Sequence, residues 1–231
     1  IMLSDGYLGN GAEPWKVPDL AEIPRIDPRF ATEPNTTAAD GSPRFMPYRR
    51  DPQTLARPWA LPGTKGLEHR VGGLEKSAHT GAISYDPANH EEMVATRAAK
   101  VKGIAKTIPP TAVDDPSGDA DVLVLGWGSA YGPITAAVRR VRARGLSIAQ
   151  AHVRHLNPLP EDLGDVLRRY RQIVVPEMNT GQFAMLLRSK YLIDVKTISR
   201  VRGLPISPVD LCDELCRHCG DSKGSDDTRE A

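Results

Sequence analysis

The chain has 231 residues, and its 30 lysine and arginine residues nearly balance 29 aspartate and glutamate residues, so its net charge is +1. This balance provides no overall attraction to nucleic acid or to an anionic membrane surface, so we expect neither as a partner. No apolar run is long enough to span a bilayer, and three cysteines are too few, and odd in number, for a disulfide framework. We therefore expect a cytoplasmic protein of one or two domains.

Proline dominates the first part of the chain. Residues 11–62 contain ten of the twenty prolines, a density that prevents long helices and central strands. The same segment carries five of the twelve aromatic residues, whereas a disordered linker would have few. These five are Trp15, Phe30, Phe45, Tyr48 and Trp59. We predict an extended, ordered arm that lays its rings on another surface, either of an upstream domain or of a partner chain.

Glycines punctuate residues 63–85 and predict loops or a hairpin, followed by a helix. Asp86 is suited to cap this helix and Pro87 to open it. Its predicted buried stripe consists of Val94, Ala98, Val101 and Ala105. Within the glycine-rich stretch, residues 68–70 and 75–76 include a histidine, a residue type that often serves in general acid–base catalysis. A solvated loop is nevertheless the favoured interpretation of both groups.

Strands alternate with helices in the second part of the chain. Apolar runs predict strands at 122–126, 147–153, 172–175 and 194–201, and helical spacing predicts helices from 133, over 160–170 and over 180–191. The predicted inward residues are Ile134, Ala137, Val138, Val141, Leu163, Val166, Leu167, Tyr170, Phe183, Leu186, Leu187 and Tyr191. This alternation predicts an α/β fold with a mainly parallel sheet flanked by helices. A last helix begins at Ser207, and we expect a disordered tail from Gly220.

The first strand of this region runs into a glycine turn, residues 126–129 (GWGS). A strand, a glycine turn and a helix N-terminus are the arrangement with which α/β proteins bind anions. The spacing is G-x-G-x-x-x-G, and no acidic residue ends the second strand, so a dinucleotide site is disfavoured. Two interpretations stay open. The turn contacts an anion or phosphate, or its glycines only permit a tight turn and close helix packing.

Polar residues also follow the next two strands. Because the carboxyl ends of parallel strands meet at one edge of a sheet, they predict a shared crevice. The candidate site residues are Gly126, Gly128, Ser129, Arg154, His155, Glu177 and Asn179. Asn179 is equally suited to cap the following helix, so a structural role for it stays open.

Cys212, Cys216 and Cys219 have a C-x3-C-x2-C spacing that radical enzymes use for iron–sulfur clusters. With Leu211 and Leu215 they also form one face of a helix, and cysteine serves readily as a small buried hydrophobe. The helical interpretation is favoured, so no metal ligand is predicted in this chain.

Several motifs occur together in an order typical of one family. They are residues 66–75 (GLEHRVGGLE), 80–81 (TG), 85–87 (YDP), 89–90 (NH), 97–100 (RAAK), 126–129 (GWGS), 155–158 (HLNP) and 177–179 (EMN). Together they resemble the alpha subunits of the 2-oxoacid:ferredoxin oxidoreductases, in particular the C-terminal part of the 2-oxoglutarate enzymes. The resemblance covers roughly residues 1–205.

The resemblance implies an enzyme that converts a 2-oxoacid, here 2-oxoglutarate, into an acyl-CoA and passes the electrons to ferredoxin. Thiamine diphosphate, Mg²⁺, an iron–sulfur cluster and coenzyme A would act in the full complex, which would be a hetero-oligomer with a beta subunit. The implied domains are the end of a pyrimidine-binding thiamine domain (1–10), an arm with loops and one helix (11–118), a transketolase C-terminal-like domain (119–211) and a helix end with a tail (212–231).

The family's 2-oxoacid-binding motifs and its catalytic glutamate have no match in this sequence. We therefore expect a truncated subunit with no catalytic residue of its own, inactive in isolation, that completes the active-site wall and forms interfaces. The seven candidate residues would then face either the coenzyme A path or a subunit interface. The alternative function is a non-catalytic binding or assembly module with an anion- or coenzyme A-binding α/β domain.

Overall fold

The computed structural model describes residues 3–12 and 16–224. The chain forms two compact units, which we call the sheet unit (residues 1–13 and 106–231) and the proline-rich unit (residues 14–105). Trp15, which we assigned to the predicted arm, and residues 225–231 of the predicted tail lie outside the described residues.

Short pairings take the place of long strands in the proline-rich unit. After α1 (Gly6–Asn10), which belongs to the sheet unit, the chain enters β1 (Phe30–Ala31), β2 (Thr36–Thr37), β3 (Pro43–Arg44) and β4 (Trp59–Ala60). Strands β1 and β4 pair in parallel, and β2 pairs with β3 in an antiparallel hairpin. Strands of two residues are what the high proline density allows.

Helix α2 (Pro87–Gly103) begins as predicted, with the Asp86 carboxylate accepting the Ala88 N–H at 3.0 Å. Three of the four residues of its predicted buried stripe are exposed, namely Ala98, Val94 (47%) and Val101 (38%). Ala105 is buried as predicted, although it lies just beyond the helix, and Met93 within the helix is only 3% exposed. One turn before Met93, the Asn89 carboxamide binds two backbone groups of the preceding hairpin. Helical spacing alone does not reveal which of two faces satisfies such backbone groups.

The predicted hairpin forms around a bridge between Lys76 and Ile83. The expectation of a solvated loop is wrong for Lys76, which is 4% exposed and donates to the backbone carbonyls of Gly72 and Leu74. His69 is also partly buried, since its ring packs edge-on against Phe45 with the ring centroids 5.2 Å apart. Folding therefore uses charged side chains that the sequence suggested would be solvated.

The sheet unit contains a five-stranded sheet. Its strands are β5 (Val113–Asp114), β6 (Val122–Trp127), β7 (Ala149–Val153), β8 (Gln172–Glu177) and β9 (Val195–Ser199), in the order β5-β7-β6-β8-β9. Strands β6 to β9 are parallel and confirm the predicted sheet, while β5 adds an antiparallel edge that the sequence did not predict.

Helices cover both faces of this sheet. Helices α3 (Tyr131–Ala143) and α6 (Pro208–Gly224) pack on one face, and α4 (Leu163–Leu167) and α5 (Gln182–Tyr191) pack on the other. The four predicted inward residues of α3 are all buried. Leu186 was predicted to be buried but is 44% exposed, and α6 continues past Gly220, where we expected the tail to begin.

Helix α4 is much shorter than the predicted helix over 160–170. The carboxylate of Asp162, the residue just before this helix, accepts the backbone N–H and the hydroxyl of Thr111, at 2.8 and 3.0 Å. Asp162 therefore makes no capping hydrogen bond to α4. A contact between residues 51 positions apart replaces the local one.

The cysteines lie on α6 as the helical interpretation predicted. Cys212 and Cys219 are buried in the apolar layer between α6 and the sheet, and Cys216 is partly buried beside Arg144. Within the described part of the chain, no helix has both the length and the apolar content needed to cross a membrane.

Candidate functional site

A cleft of about 1230 Å³ lies at the carboxyl ends of β6, β7 and β8. Strand β6 lies between β7 and β8 in the sheet. The connection from β6 to β7 and the later connection from β7 to β8 therefore run in opposite directions across the sheet. Open α/β sheets bind ligands at such a position. Five of the seven candidate residues line the cleft: Gly128, Arg154, His155, Glu177 and Asn179. Residues 3–8 and Asn10 of the amino-terminal segment line it as well.

Gly126 does not line the cleft, because it lies beneath Ile134 and His152. A Cβ atom at this position would come within 2.6 Å of the Ile134 Cδ1 atom and 3.1 Å of the His152 Nδ1 atom. The first distance is shorter than real Cβ contacts and the second is tight, so Gly126 permits close packing of α3 on the strand. This supports the structural interpretation for the first glycine of the turn.

The second part of the glycine turn holds a carboxylate from elsewhere in the chain. The backbone N–H and the hydroxyl of Ser129 donate to the Asp5 Oδ2 atom at 3.3 and 3.1 Å. Gly128 has a φ of +56°, and a Cβ atom there would lie 2.5 Å from the same oxygen. Glycine is therefore favoured at 128 both by the backbone conformation and by the nearby carboxylate.

The Asp5 carboxyl is ionised more readily than a free aspartate. Partial burial opposes its ionisation, but the hydrogen bonds from Ser129 and from the Tyr7 N–H outweigh that effect and lower its pKa. The glycine turn thus binds an anion, as its sequence suggested, and in this structure the anion is part of the same chain.

The side-chain oxygens of Glu177 and Asn179 accept backbone N–H groups at the start of the helix that follows them. Glu177 is 1% exposed, and its two carboxylate oxygens accept the N–H groups of Phe183 and Ala184, each at 3.0 Å. The Asn179 Oδ1 atom accepts the N–H of Gly181 at 2.7 Å and that of Gln182 at 3.1 Å. The capping role that stayed open for Asn179 is therefore present, and Glu177 shares it.

Arg154 and His155 differ from the other candidates because their side chains are exposed where they line the cleft. A guanidinium group is permanently charged and suits phosphate or carboxylate oxygens. What this edge of the sheet offers chemically is therefore cationic and hydrogen-bonding contact with an anion.

His152 is a residue of this region that we did not include among the candidates. Its ring packs edge-on against Tyr131 with centroids 5.1 Å apart, and its buried Nδ1 atom has no hydrogen-bond partner. Burial first, and then the nearby charge of Arg154, lower the pKa of His152, although a hydrogen bond with the Gly128 backbone opposes them. The strand register pairs His152 with Gly126, a relation that periodicity alone cannot provide.

The cysteines do not fit an iron–sulfur cluster, because two of their thiols lie in the apolar core. In the described ranges, no group of three or more histidine, cysteine, aspartate or glutamate side chains is arranged to hold a metal ion. Residues 3–12 and 16–224 therefore show no cluster of ligands for a metal ion, whereas the exposed Arg154 guanidinium suits anionic oxygen atoms.

The nature of the chain is decided by its relatives. It is 52% identical to the 2-oxoglutarate oxidoreductase subunit KorA of Mycobacterium tuberculosis over 94% of its own length. It is also 31% identical, over 81% of its length, to the alpha subunit of 2-oxoacid:ferredoxin oxidoreductase 1 of Aeropyrum pernix. The chain belongs to the 2-oxoacid:ferredoxin oxidoreductase family. The resemblance seen in its motifs is thereby confirmed.

Two further comparisons locate the chain within this family. The family described as pyruvate:ferredoxin oxidoreductase core domain II matches residues 120–211. A structure of the Magnetococcus marinus 2-oxoglutarate:ferredoxin oxidoreductase, with 2-oxoglutarate, coenzyme A and succinyl-CoA bound, superposes with a TM-score of 0.70 at 29% identity, covering 80% of this chain and 32% of that one. The chain spans 31% of the M. tuberculosis subunit and 29% of the A. pernix subunit.

Proposed function

We propose that this chain acts within the alpha subunit of a 2-oxoglutarate:ferredoxin oxidoreductase, paired with a beta subunit and delivering electrons to ferredoxin. The proposal is supported by the 52% identity to a 2-oxoglutarate oxidoreductase subunit and by the likeness to the M. marinus enzyme. Within that enzyme the chain contributes no catalytic residue and completes the wall of the active-site region. Its free thiols support a reducing, cytoplasmic location.

Thiamine diphosphate with Mg²⁺ would supply the decarboxylation, and an iron–sulfur cluster the electron transfer, in the complete enzyme. Because the described residues of this chain do not fit a metal or a cluster, we assign these groups to other parts of the complex. The task left to the sheet unit is the binding and positioning of a ligand.

We assign the cleft to coenzyme A. The single observation that carries this assignment is the exposure of Arg154 and His155 at an edge where Glu177 and Asn179 already have their hydrogen-bond donors. The remaining accessible charge at these positions is positive, and coenzyme A carries several phosphate oxygens. Arg154 is therefore the residue expected to contact a phosphate of the coenzyme.

The test uses the complete alpha subunit together with its beta subunit, and follows 2-oxoglutarate-dependent reduction of a viologen dye. Arg154→Ala should raise the KM for coenzyme A by about ten- to a hundredfold, because a charge-assisted hydrogen bond is worth about 1.5–3 kcal/mol. The kcat and the KM for 2-oxoglutarate should stay unchanged. Arg169→Ala is the matched control, since Arg169 is exposed and precedes β8 at the opposite end of the sheet.

Two results would overturn different parts of the proposal. If Arg154→Ala leaves the KM for coenzyme A unchanged but weakens association with the beta subunit, the cleft is a subunit interface. If the wild-type complex shows no dye reduction dependent on a 2-oxoacid, the enzyme assignment is wrong. The non-catalytic binding or assembly module would then be the better description.

We also propose that the proline-rich unit is a contact surface for a neighbouring subunit, which is the role expected for the predicted arm. This is supported by the paired residues Phe30 and Trp59, which are 39% and 64% exposed. Exposed tryptophan is often a major contributor at subunit interfaces. Trp59→Ala should weaken the alpha–beta association about tenfold, measured by titration with the beta subunit. An unchanged dissociation constant would exclude Trp59 from the interface.

A further inference from the structure

The proposed function does not use the contact between Asp5 and the glycine turn. It joins residues 124 positions apart, and it places both donors of Ser129 on one carboxylate oxygen. We call this the Asp5 contact. The other oxygen of the same carboxylate accepts the Tyr7 N–H at 2.8 Å, which caps α1. One side chain therefore begins a helix and ties it to the end of β6.

Among the described residues, apolar packing contributes little to this segment. None of the residues of α1 is buried, and Tyr7 and Leu8 are 49% and 62% exposed. A five-residue helix has little stability of its own, because most helical stability in proteins comes from packing. The Asp5 contact is therefore a specific polar link that ties the segment to the end of β6.

The Asp5 contact also decides what else the glycine turn can bind. A phosphate at the turn would need the same N–H and hydroxyl of Ser129 that Asp5 already occupies. It would also bring a second negative charge next to the Asp5 carboxylate, which is unfavourable at hydrogen-bonding distance. The turn and the cationic edge at Arg154 and His155 therefore have different ligands.

We propose that Asp5 is a positioning residue, which occupies the glycine turn, holds residues 3–12 as one wall of the cleft and keeps a ligand phosphate out of the turn. The first part concerns the chain alone. The part that concerns coenzyme A rests on the proposed function, so the two parts need separate readouts.

Hydrogen exchange in the complete alpha subunit tests the first part. Asp5→Asn keeps the size of the side chain but removes its charge, and should speed exchange at Tyr7 and Ser129 about tenfold, as expected for loss of about 1.4 kcal/mol. Asp19→Asn is the matched control. Asp19 caps its own short turn through the Ala21 N–H at 2.9 Å, so its loss should leave Ser129 unchanged. An unchanged melting curve would show that the variant is folded.

A double substitution separates positioning from simple capping of α1. If Asp5 acts through the turn, Ser129→Ala should speed exchange at Tyr7 in the wild type and add nothing in the Asp5→Asn background. If Asp5 only caps α1, Ser129→Ala has no effect at Tyr7 in either background, and the proposal is overturned. This comparison depends on neither coenzyme binding nor catalysis.

Steady-state kinetics of the complete complex test the second part. Asp5→Asn should raise the KM for coenzyme A severalfold and leave kcat unchanged, because the wall moves and the reacting groups do not. In the wild type, added coenzyme A should slow exchange at Tyr7 or leave it unchanged. Faster exchange would mean that a phosphate displaces Asp5, which would overturn the exclusion. If Arg154→Ala leaves the KM for coenzyme A unchanged while the exchange results hold, the coenzyme assignment fails and the positioning role of Asp5 stands.

Discussion

The interior of each of the two units is stabilised by a different kind of contact. In the sheet unit, residues 122–125 of the central strand have no measurable exposure and helices cover both faces of the sheet. In the described part of the proline-rich unit, the buried apolar residues are far fewer: Phe45, Pro47, Leu67, Ala78, Met93 and Ala105. The sheet unit is stabilised mainly by apolar burial, so the proline-rich unit must depend more on specific polar contacts.

Asparagine side chains provide many of those contacts. Asn35 accepts the Met46 N–H at 2.7 Å and donates to the Met46 carbonyl at 3.0 Å. Asn89 does the same between Ala78 and Lys76. A carboxamide carries one acceptor and two donors, so it can replace the neighbouring strand that a proline-rich segment lacks. A chain short of regular strands can thus still satisfy its buried backbone.

The largest predicted effect concerns the core of the sheet unit. Leu125→Ala should lower the free energy of unfolding by about 2–5 kcal/mol, because it removes a fully buried side chain and leaves a cavity. Leu186→Ala, at the exposed position of α5 that was predicted to be buried, should change it by no more than about 0.5 kcal/mol. Denaturant unfolding followed by circular dichroism measures both. Equal losses would contradict the burial described for α5.

A smaller effect is expected from the polar contacts of the proline-rich unit. Asn89→Ala should lower the free energy of unfolding by about 1–3 kcal/mol, because it leaves the Ala78 N–H and the Lys76 carbonyl without their partner. Hydrogen exchange of residues 75–84 should rise, while that of β6 stays the same. Lys100→Ala, at an exposed position of α2, is the control and should have almost no effect. If β6 also loses protection, the two units do not unfold separately.

The smallest predicted effect is the loss of two carboxylate contacts at low pH. The pKa of Asp5 is lowered in the folded chain, and so is that of Glu75, whose carboxylate binds His90 and Arg97. A lowered folded pKa means that each contact contributes fully above the ordinary value of about 4 and is lost as the pH falls through the folded value. Protection from exchange, corrected for the intrinsic rate at each pH, should therefore fall at Ser129 and at residues 75–84 below about pH 4, before that of β6. Simultaneous loss in all three regions would contradict the distinction between the units.

The sequence predicts the elements of the sheet unit well because their apolar residues repeat with a clear period. The four parallel strands and the buried face of α3 are confirmed. Helix α4 is shorter than predicted, and Asp162 just before it binds Thr111, a partner from before β5. Three of the four residues of the predicted stripe are exposed, and Asn89 of α2 binds backbone groups of the preceding hairpin. In both places a polar side chain has a partner that apolar periodicity does not indicate.

At the candidate site, too, the sequence predicted positions but not the partners of the polar side chains. Position along the strands predicted one crevice lined by seven residues, and five of them line the cleft, whereas Gly126 and Ser129 do not. Periodicity does not indicate which of these residues form hydrogen bonds within the chain and which stay accessible to a ligand. Glu177 and Asn179 are taken up by α5, which leaves Arg154 and His155 exposed.

The sequence by itself determined the family, the parallel sheet and the place of the cleft, because these depend on ordered motifs and on apolar periodicity, which are local properties. Only the tertiary structure decided that the glycine turn holds Asp5, that His152 lies against Gly126, and that Lys76 is buried. Each of these depends on a polar group meeting a partner from another part of the chain. Such pairings satisfy buried donors and acceptors, and they become visible only once the chain has folded.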